Sequence, residues 1–227
     1  MTGRQPKNSL STGRTASDQA LRDAAIMRVE LTGSSRPAAA RGPGSPFLVM
    51  LSGLPGTGKS YFARELMKRV PFQVLESDRL RKALVPDPRY TRGEHSRVFA
   101  ALHVLLEEFL SQGRRVIFDA ANLTEIYRQP VYDMAYRALA PLVVISFTAP
   151  EEMVQKRLAD RDTGLDPGNY SDAGWLIHTR LRQGAQPIQR EHLKVDTSLD
   201  IGPVVEEIVR LVEAGRGVGL PQGADSE

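Results

Sequence analysis

Short apolar runs alternate with amphipathic stretches from Phe47 onward. The runs are FLVMLSG, FQVLES, RRVIFDA, PLVVISFTA and the weaker LKVDTS. The first of them suits a strand that is covered on both faces. Between the runs, apolar positions recur at helical spacing, most clearly on the face formed by Val98, Leu102, Leu105 and Phe109. The pattern predicts five strands separated by helices.

The bounds of the predicted helices follow from the apolar spacing and from glycine or proline at the helix ends. They cover Lys59 to Val70, a segment that ends at Gly113, about Thr124 to Ala140, the charged stretch PEEMVQKRLADRD, a segment from about Ser171, and GPVVEEIVRLVEA. Alternating strands and helices imply a central parallel sheet with helices on both faces. The predicted fold class is therefore α/β, with a five-stranded parallel sheet.

Composition divides the chain into three parts. Residues 1–45 are rich in Ser, Thr, Gly, Ala, Pro and Arg, with only a weak helical patch at DQALRDAAIMRVEL, and are expected to be a mostly disordered basic extension. Residues 46–214 are expected to form one α/β domain with a helical lid at about 150–183, and residues 215–227 a tail. The total of 227 residues suits a single domain.

The charge is distributed unevenly. Residues 1–45 carry seven basic and three acidic residues, so +4 of charge lies there and −1 in the remainder, for a total of +3. The basic pI therefore does not indicate a nucleic-acid groove in the folded part. The absence of cysteine excludes disulfides and zinc–thiolate sites and favours the cytoplasm. No segment has the length of a membrane span.

The stretch LSGLPGTGKS directly follows the first predicted strand. Gly53, Gly58, Lys59 and Ser60 satisfy GxxxxGK[ST] between a strand and a helix, which disfavours an incidental Gly-rich turn. Glycines let backbone amides approach phosphate oxygens, and the helix N-terminus adds its dipole. Lys59 would meet the β- and γ-phosphates and Ser60 would ligate Mg²⁺. The motif predicts an ATP and Mg²⁺ site formed by Gly53, Pro55, Gly56, Thr57, Gly58, Lys59, Ser60 and Tyr61.

Two aspartates are expected at the same edge of the sheet. Asp119 ends the third strand and could hold Mg²⁺ through water, or simply initiate a turn. Asp78 ends the second strand, where it could cap a helix or deprotonate an acceptor hydroxyl. Arg81 follows three residues later on the same helical side and could hold an anionic group of the acceptor.

Arg157 and Arg161 are spaced to share one helix face. They precede the Gly-rich loop DTGLDPGNYSD, so both could close on the triphosphate and stabilise charge during transfer. The alternative is a solvated surface in which Asp160 and Asp162 balance the two arginines.

From Phe47 to about Val212 the chain resembles the P-loop kinases typified by phage polynucleotide 5′-hydroxyl kinase, an AAA-33-type group; zeta-toxin-like kinases have a similar layout. The segments GLPGTGKS, DRLR, VIFDAANLTEIYR and RLADR occur in the family's order. The resemblance implies a P-loop NTPase fold in which Asp78 is the general base and Arg81 helps to hold the acceptor's phosphate. It also implies that the lid arginines, Arg157 and Arg161, contact the ATP phosphates.

One segment departs from the family pattern. The kinase has D-T-N-L where this chain has D-A-A-N-L at residues 119–123, with one residue inserted. Asn122 and Arg128 are nevertheless expected to line the acceptor pocket. Other P-loop classes fit less well, because the chain lacks the DxxG and NKxD motifs of GTPases, and Ala120 stands where AAA+ ATPases usually carry a glutamate.

The predicted function is transfer of the γ-phosphate of Mg-ATP to a hydroxyl group. The acceptor is left open between a small molecule and a nucleic-acid 5′ end, as is the oligomeric state. The alternative from another class is an ATP-binding regulatory module that transfers no phosphate.

Overall fold

The structure is a computed structural model and describes residues 10–33, 45–162 and 174–218. Five strands form one sheet, namely β1 (Phe47–Ser52), β2 (Gln73–Glu76), β3 (Arg115–Asp119), β4 (Leu142–Thr148) and β5 (Leu193–Asp196). All neighbours are parallel and the order is β2-β3-β1-β4-β5. The predicted α/β P-loop fold with a five-stranded parallel sheet is confirmed.

Helices cover both faces of the sheet. The described residues contain α1 (Leu10–Gly33), α2 (Lys59–Met67), α3 (Ser77–Leu84), α4 (Arg92–Ser111), α5 (Glu125–Arg137), α6 (Glu151–Asp162), α7 (Trp175–Gln183) and α8 (Gly202–Ala214). Alternate residues of β1 point to opposite faces: Leu48 and Met50 pack with α1, α4 and α5, whereas Val49 and Leu51 pack with α2 and α8. The central strand is therefore buried on both sides.

The strand register brings three strand ends together at one edge of the sheet. Asp119 lies beside Leu51 of β1 on one side and beside Glu76 of β2 on the other. The loop that follows β1 leads into α2, and the segment that follows β2 leads directly into α3. In open parallel sheets, ligands bind at this carboxyl edge, where the strand order reverses.

The first helix differs from the sequence-based prediction of a disordered extension. Residues Leu10–Gly33 form α1, which packs on α3 and α4. Ala24 and Met27 are fully buried in the core that α4 contributes to, and the buried carboxylate of Asp23 is paired with Arg97. Residues 1–9, 34–44 and 219–227 lie outside the described part, so the rest of the predicted extension and most of the predicted tail are not addressed.

None of the helices within the described ranges is both long enough and apolar enough to cross a membrane.

Candidate active site

The phosphate-binding loop joins β1 to α2 and requires glycine at two positions. Gly56 and Gly58 have φ angles of 85° and 91°, which L side chains rarely adopt. A Cβ on Gly58 would also lie 2.9 Å from Cγ2 of Thr197, in the loop between β5 and α8. The side chain of Thr57 turns inward and donates to the Leu54 carbonyl at 2.7 Å. The loop amides are therefore held in a tight turn at the start of α2.

Lys59 and Ser60 emerge from this loop toward the ends of the neighbouring strands. The Lys59 ammonium donates to the carbonyls of Gly53 at 2.8 Å and Leu54 at 3.1 Å, across the mouth of the loop. The Ser60 hydroxyl donates to Oδ2 of Asp119 at 2.7 Å. A cation and a hydroxyl of the motif thus meet a carboxylate from the end of β3.

Asp119 is buried at the end of β3, and its environment favours a bound cation. Burial raises the pKa of its carboxyl, and the negative charge of Asp78 acts in the same direction, while Lys59 and the Ser60 hydroxyl oppose the rise. A carboxylate and a hydroxyl are the hard oxygen donors that Mg²⁺ prefers. Ser60 and Asp119 therefore fit the magnesium site that the sequence predicts.

A cavity of about 460 Å³ extends from the loop to the segment between α3 and α4. At one end it is lined by Pro55, Gly56, Gly58, Lys59 and Ser60, and at the other by residues of α3, α4 and the loop that joins them. Gly53, Thr57 and Tyr61, which were predicted to bind nucleotide, are not among the lining residues, and Tyr61 is exposed on the outside of α2. The cavity has room for a second reactant beyond the phosphate loop.

Asp78 lies in this cavity, in the first turn of α3 rather than at its N-cap. The N-cap is Glu76, and no side-chain hydrogen bond caps the helix. The half-buried carboxylate of Asp78 makes no hydrogen bond or ion pair within the described residues. Asp78 therefore has no capping role in this fold, and its carboxylate remains available to a reactant.

Arg81 lies one turn further along α3 and is paired with a residue that the sequence did not single out. Its Nη1 donates to Oε1 of Glu94 at 2.6 Å, and the ring of Tyr90 lies over the guanidinium at 4.9 Å from the centroid. Burial opposes ionisation of Glu94, but hydrogen bonds from Arg81 and from the amides of Arg89 and Tyr90 outweigh it and lower the pKa of that carboxyl. The pair is ionised and buried.

Aromatic rings form one wall of the cavity. The imidazole of His95 stacks on Phe99 with centroids 4.1 Å apart and meets Tyr127 edge-on at 4.7 Å. Burial, followed by the positive charge of Arg81, lowers the pKa of His95 to about 4. The wall is therefore uncharged at neutral pH.

Asn122 and Arg128 do not line the cavity, which differs from the prediction. Asn122 adopts a left-handed conformation (φ 47°) and donates from Nδ2 to the Leu51 carbonyl at 2.7 Å. The buried guanidinium of Arg128 donates to the carbonyls of Asn122, Gln186 and Pro187. The inserted residue leaves Ala120 and Ala121 at the cavity surface and turns Asn122 against β1. Both side chains therefore bond to backbone carbonyls and brace the loop.

Arg157 lies behind the phosphate loop and not over it. Its guanidinium donates to Oγ1 of Thr197 at 2.7 Å, to the Thr197 carbonyl at 3.0 Å and to the Gly56 carbonyl at 3.3 Å. Arg161 belongs to α6, but its side chain is outside the described part of the chain. The contact of Arg157 and Arg161 with the phosphates stays a prediction, and Arg157 is bonded here to Thr197 and Gly56.

Among the described residues of the lid region, Arg180 of α7 is an arginine that lines the cavity. It lines the cavity together with Ile177 and Leu181, three and one positions away on the same helix face. This helix is tied to the phosphate loop, because Nδ1 of the buried His178 lies 2.8 Å from the Pro55 carbonyl. The helical spacing of Ile177, Arg180 and Leu181 is a signal by which the sequence could have pointed to this face.

The sheet order, with the phosphate loop after the central strand, defines a P-loop nucleotide-binding fold. The chain belongs to the AAA_33 family, an AAA domain whose profile matches residues 48–186. The resemblance seen in the sequence is thereby confirmed. Helices α1 and α8 and strand β5 lie outside the matched range. The sequence has no significant match among curated proteins.

Solved structures share the fold at low identity. The APS kinase CysC of Mycobacterium tuberculosis, in complex with AMPPNP and APS, has a TM-score of 0.57 and 16% identity, covering 75% of this chain and 99% of its own. Kti12 of Chaetomium thermophilum, in complex with ADP-AlF3, has a TM-score of 0.57 and 17% identity, covering 74% and 98%. A candidate kinase from Chloroflexus aurantiacus has a TM-score of 0.59 and 18% identity, covering 73% and 98%.

Proposed function

We propose that this protein is a kinase that transfers the γ-phosphate of ATP to the hydroxyl group of an acceptor. The observation that carries the proposal is the shared cavity: Lys59 and Ser60 lie at one end and Asp78 faces the same space. A protein that only hydrolysed or sensed ATP would not need a compartment for a second reactant beyond the phosphate loop. Structural relatives bound to AMPPNP and ADP-AlF3 add support for the nucleotide.

The phosphate loop binds the donor in this proposal. The amides around Gly56 and Gly58 would donate to the β- and γ-phosphates, and the Lys59 ammonium would exchange its carbonyl partners for phosphate oxygens. Ser60 and Asp119 would hold Mg²⁺, which neutralises phosphate charge when bound. Arg180 would balance charge on the transferring group from the side of α7.

Asp78 would orient the acceptor and receive its proton. The acceptor oxygen attacks the γ-phosphorus, the bond from that phosphorus to the β–γ bridging oxygen breaks, and ADP leaves with the electron pair. The hydroxyl proton passes to the Asp78 carboxylate, which makes no competing hydrogen bond among the described residues. The aromatic wall and α7 would shield the transferring group from water.

Two substitutions separate donor binding from transfer. Asp78→Asn is expected to lower transfer by roughly 10²–10⁴-fold while ATP affinity stays near wild type, since it removes only the proton acceptor. Lys59→Ala is expected to weaken ATP binding and to abolish transfer. The transfer rate is measured with labelled γ-phosphate and a panel of sugars, nucleosides, aminoglycosides and oligonucleotides. The affinity for ATP is measured by titration with a fluorescent ATP analogue.

An exposed carboxylate provides the control. Asp133→Asn removes the same charge from the outer surface of α5, where Asp133 pairs with Gln129, and should leave both quantities unchanged. If Asp78→Asn retained full transfer, the base assignment would be wrong. If the wild type bound Mg-ATP tightly and phosphorylated none of the acceptors, an ATP-binding regulatory module would be the better description.

A further inference from the structure

We propose that Glu94 makes the acceptor end of the cavity selective for a compound with no anionic group beside its reacting hydroxyl. The inference rests on the proposed function, because it specifies the acceptor of the same site. The family pattern would lead one to expect Arg81 to hold an acceptor phosphate. In this chain, the carboxylate of Glu94 already binds Arg81, at the place where an acceptor phosphate would be expected.

The guanidinium of Arg81 is enclosed by its own neighbours. The side chain of Arg81 is 4% exposed and that of Glu94 is 9% exposed, with 2.6 Å between Nη1 and Oε1. The Tyr90 ring lies over one face of the guanidinium, and the buried Nε has no hydrogen-bond partner among the described residues. Arg81 lines the cavity, but only 4% of its side chain is exposed, so only a small part of the guanidinium can meet an acceptor there.

Glu94 is also held in place by its second oxygen. Its Oε2 accepts hydrogen bonds from the amides of Arg89 at 2.8 Å and Tyr90 at 3.0 Å. These bonds shape the turn between α3 and α4, in which Tyr90 has a φ of 53°. An acceptor phosphate that displaced Glu94 from Arg81 would therefore have to disrupt the turn as well.

Displacement by an anion is unfavourable for electrostatic reasons. It would leave the ionised carboxylate of Glu94 buried, without its cation and beside a second negative charge. Removing one partner from a buried ion pair costs on the order of a hundredfold or more in an equilibrium constant. An anion at this position would also approach the carboxylate of Asp78, which lines the same cavity.

The remaining cations near the acceptor do not reverse this balance. Arg89, Arg92 and Arg180 also line the cavity, but all three residues are exposed, and solvated guanidiniums contribute little to pairing. Ala120, Ala121 and the aromatic wall give the cavity an apolar part. These surfaces suit an uncharged acceptor with a flat apolar face.

A binding experiment tests the inference without requiring transfer. Wild type and Glu94→Gln, both saturated with Mg-AMPPNP, are titrated calorimetrically with phenyl phosphate, which joins a flat ring to a dianion. Glutamine can still accept from the two amides but no longer neutralises Arg81. Glu94→Gln is expected to bind phenyl phosphate at least tenfold more tightly than wild type. Equal affinities, or no binding by either protein, would overturn the proposal.

Two further variants identify why Glu94→Gln would bind phenyl phosphate more tightly. Asp87→Asn makes the same charge change at an exposed position in the loop between α3 and α4 and should behave as wild type. The double variant Arg81→Gln, Glu94→Gln should lose the gain, because the freed guanidinium is its cause. A gain that persisted in the double variant, or that appeared in Asp87→Asn, would show a general charge effect and reject the role of Glu94.

A measurement on wild type alone covers the case in which Glu94→Gln does not fold. Matched acceptors with and without a phosphate next to the reacting hydroxyl are compared by kcat/KM, and the uncharged member should be preferred at least tenfold. Preference for the phosphorylated member would overturn the proposal. If wild type bound Mg-AMPPNP and the titrations came out as expected but no acceptor were phosphorylated, the proposed transfer would fail while the exclusion of anions stood.

Discussion

The stacked imidazole of His95 makes the acceptor wall sensitive to acid. Its pKa in the folded protein is about 4, whereas an unfolded chain would have the ordinary value of 6.5. Between these values the unfolded state binds more protons, so stability falls as the pH is lowered from about 6.5 to about 4. His103 is shifted in the same direction by burial, Arg81 reinforces the shift of His95, and Glu94 opposes it.

His95→Phe is therefore expected to reduce the loss of stability on acidification. Phenylalanine can retain the stacking with Phe99 and Tyr127 but carries no titrating nitrogen, so the midpoint of thermal unfolding should fall less between pH 7 and pH 4.5. Thermal unfolding followed by circular dichroism measures this. Tyr127→Phe alters the same cluster without removing an imidazole and should keep the wild-type dependence. An equal decline in His95→Phe and wild type would contradict the assignment.

At the scale of single residues, the sequence predicts a role correctly where that role depends on a local motif or on the end of an adjacent strand. Lys59, Ser60 and Asp119 meet as expected, because a loop–helix motif and the end of an adjacent strand determine their positions. Arg81 and Asn122 have partners that depend on the tertiary fold, Glu94 and the Leu51 carbonyl respectively. No local pattern reveals that these polar groups are already bonded within the protein.

At the scale of elements, α1 shows how an ion pair across the fold can stabilise a helix that has a weak pattern. Asp23 interrupts the short apolar face of Ala20, Ala24 and Met27 and is 1% exposed. Arg97 of α4 donates to both of its oxygens at 2.7 Å, and these bonds, more than the opposing burial, hold the pKa of Asp23 below its usual range. The sequence shows the carboxylate but not its distant partner, and so predicts disorder.

Asp23→Ala is expected to destabilise the protein by about 1.5–3 kcal/mol, the range for hydrogen bonds to charged groups. Arg97 is 42% exposed, so it can be solvated after the loss, which keeps the cost below that of a fully buried pair. For a chain of this size, each 1 kcal/mol lowers the unfolding midpoint by about 2–4 °C. Urea denaturation of Asp23→Ala, Arg97→Ala and the double variant measures the coupling between the two residues.

The exposed pair between Arg137 and Glu107 offers a matched control. It also joins two helices, but the two side chains are 57% and 62% exposed. Glu107→Ala is expected to change stability by less than about 0.5 kcal/mol, because exposed pairs contribute little. Equal losses for Glu107→Ala and Asp23→Ala would mean that α1 is not stabilised by its buried carboxylate.

For the whole molecule, alternation of strands and helices predicts the fold class, while the strand order follows from pairing that the sequence does not display. β1 lies between β3 and β4, and β2 at the edge pairs only with β3. This order sets Glu76 beside Asp119 and places α3 and α7 on the same cavity. The predicted lid arginines illustrate the limit, since Arg157 is near the loop in space but bonds to Thr197 behind it.

The contact between α7 and the phosphate loop predicts that nucleotide binding is sensed by the chain's single tryptophan. Trp175 stacks on His178 with centroids 5.0 Å apart, and His178 donates from Nδ1 to the Pro55 carbonyl, which can only accept. Mg-ATP that engages both the loop and Arg180 would move α7 together with the loop. The intrinsic fluorescence of Trp175 is expected to change on addition of Mg-ATP and not in Lys59→Ala.

His178→Ala tests whether the hydrogen bond transmits this change. Loss of one such bond, about 1 kcal/mol, should weaken ATP binding by roughly fivefold, and the fluorescence change at saturation should shrink because α7 no longer follows the loop. His192→Ala removes an imidazole whose hydrogen-bond partner among the described residues is the nearby Arg190 carbonyl, and it should keep the full signal. A full fluorescence change in His178→Ala would show that α7 responds to the nucleotide through Arg180 alone, and that the loop and α7 are coupled only when the ligand joins them.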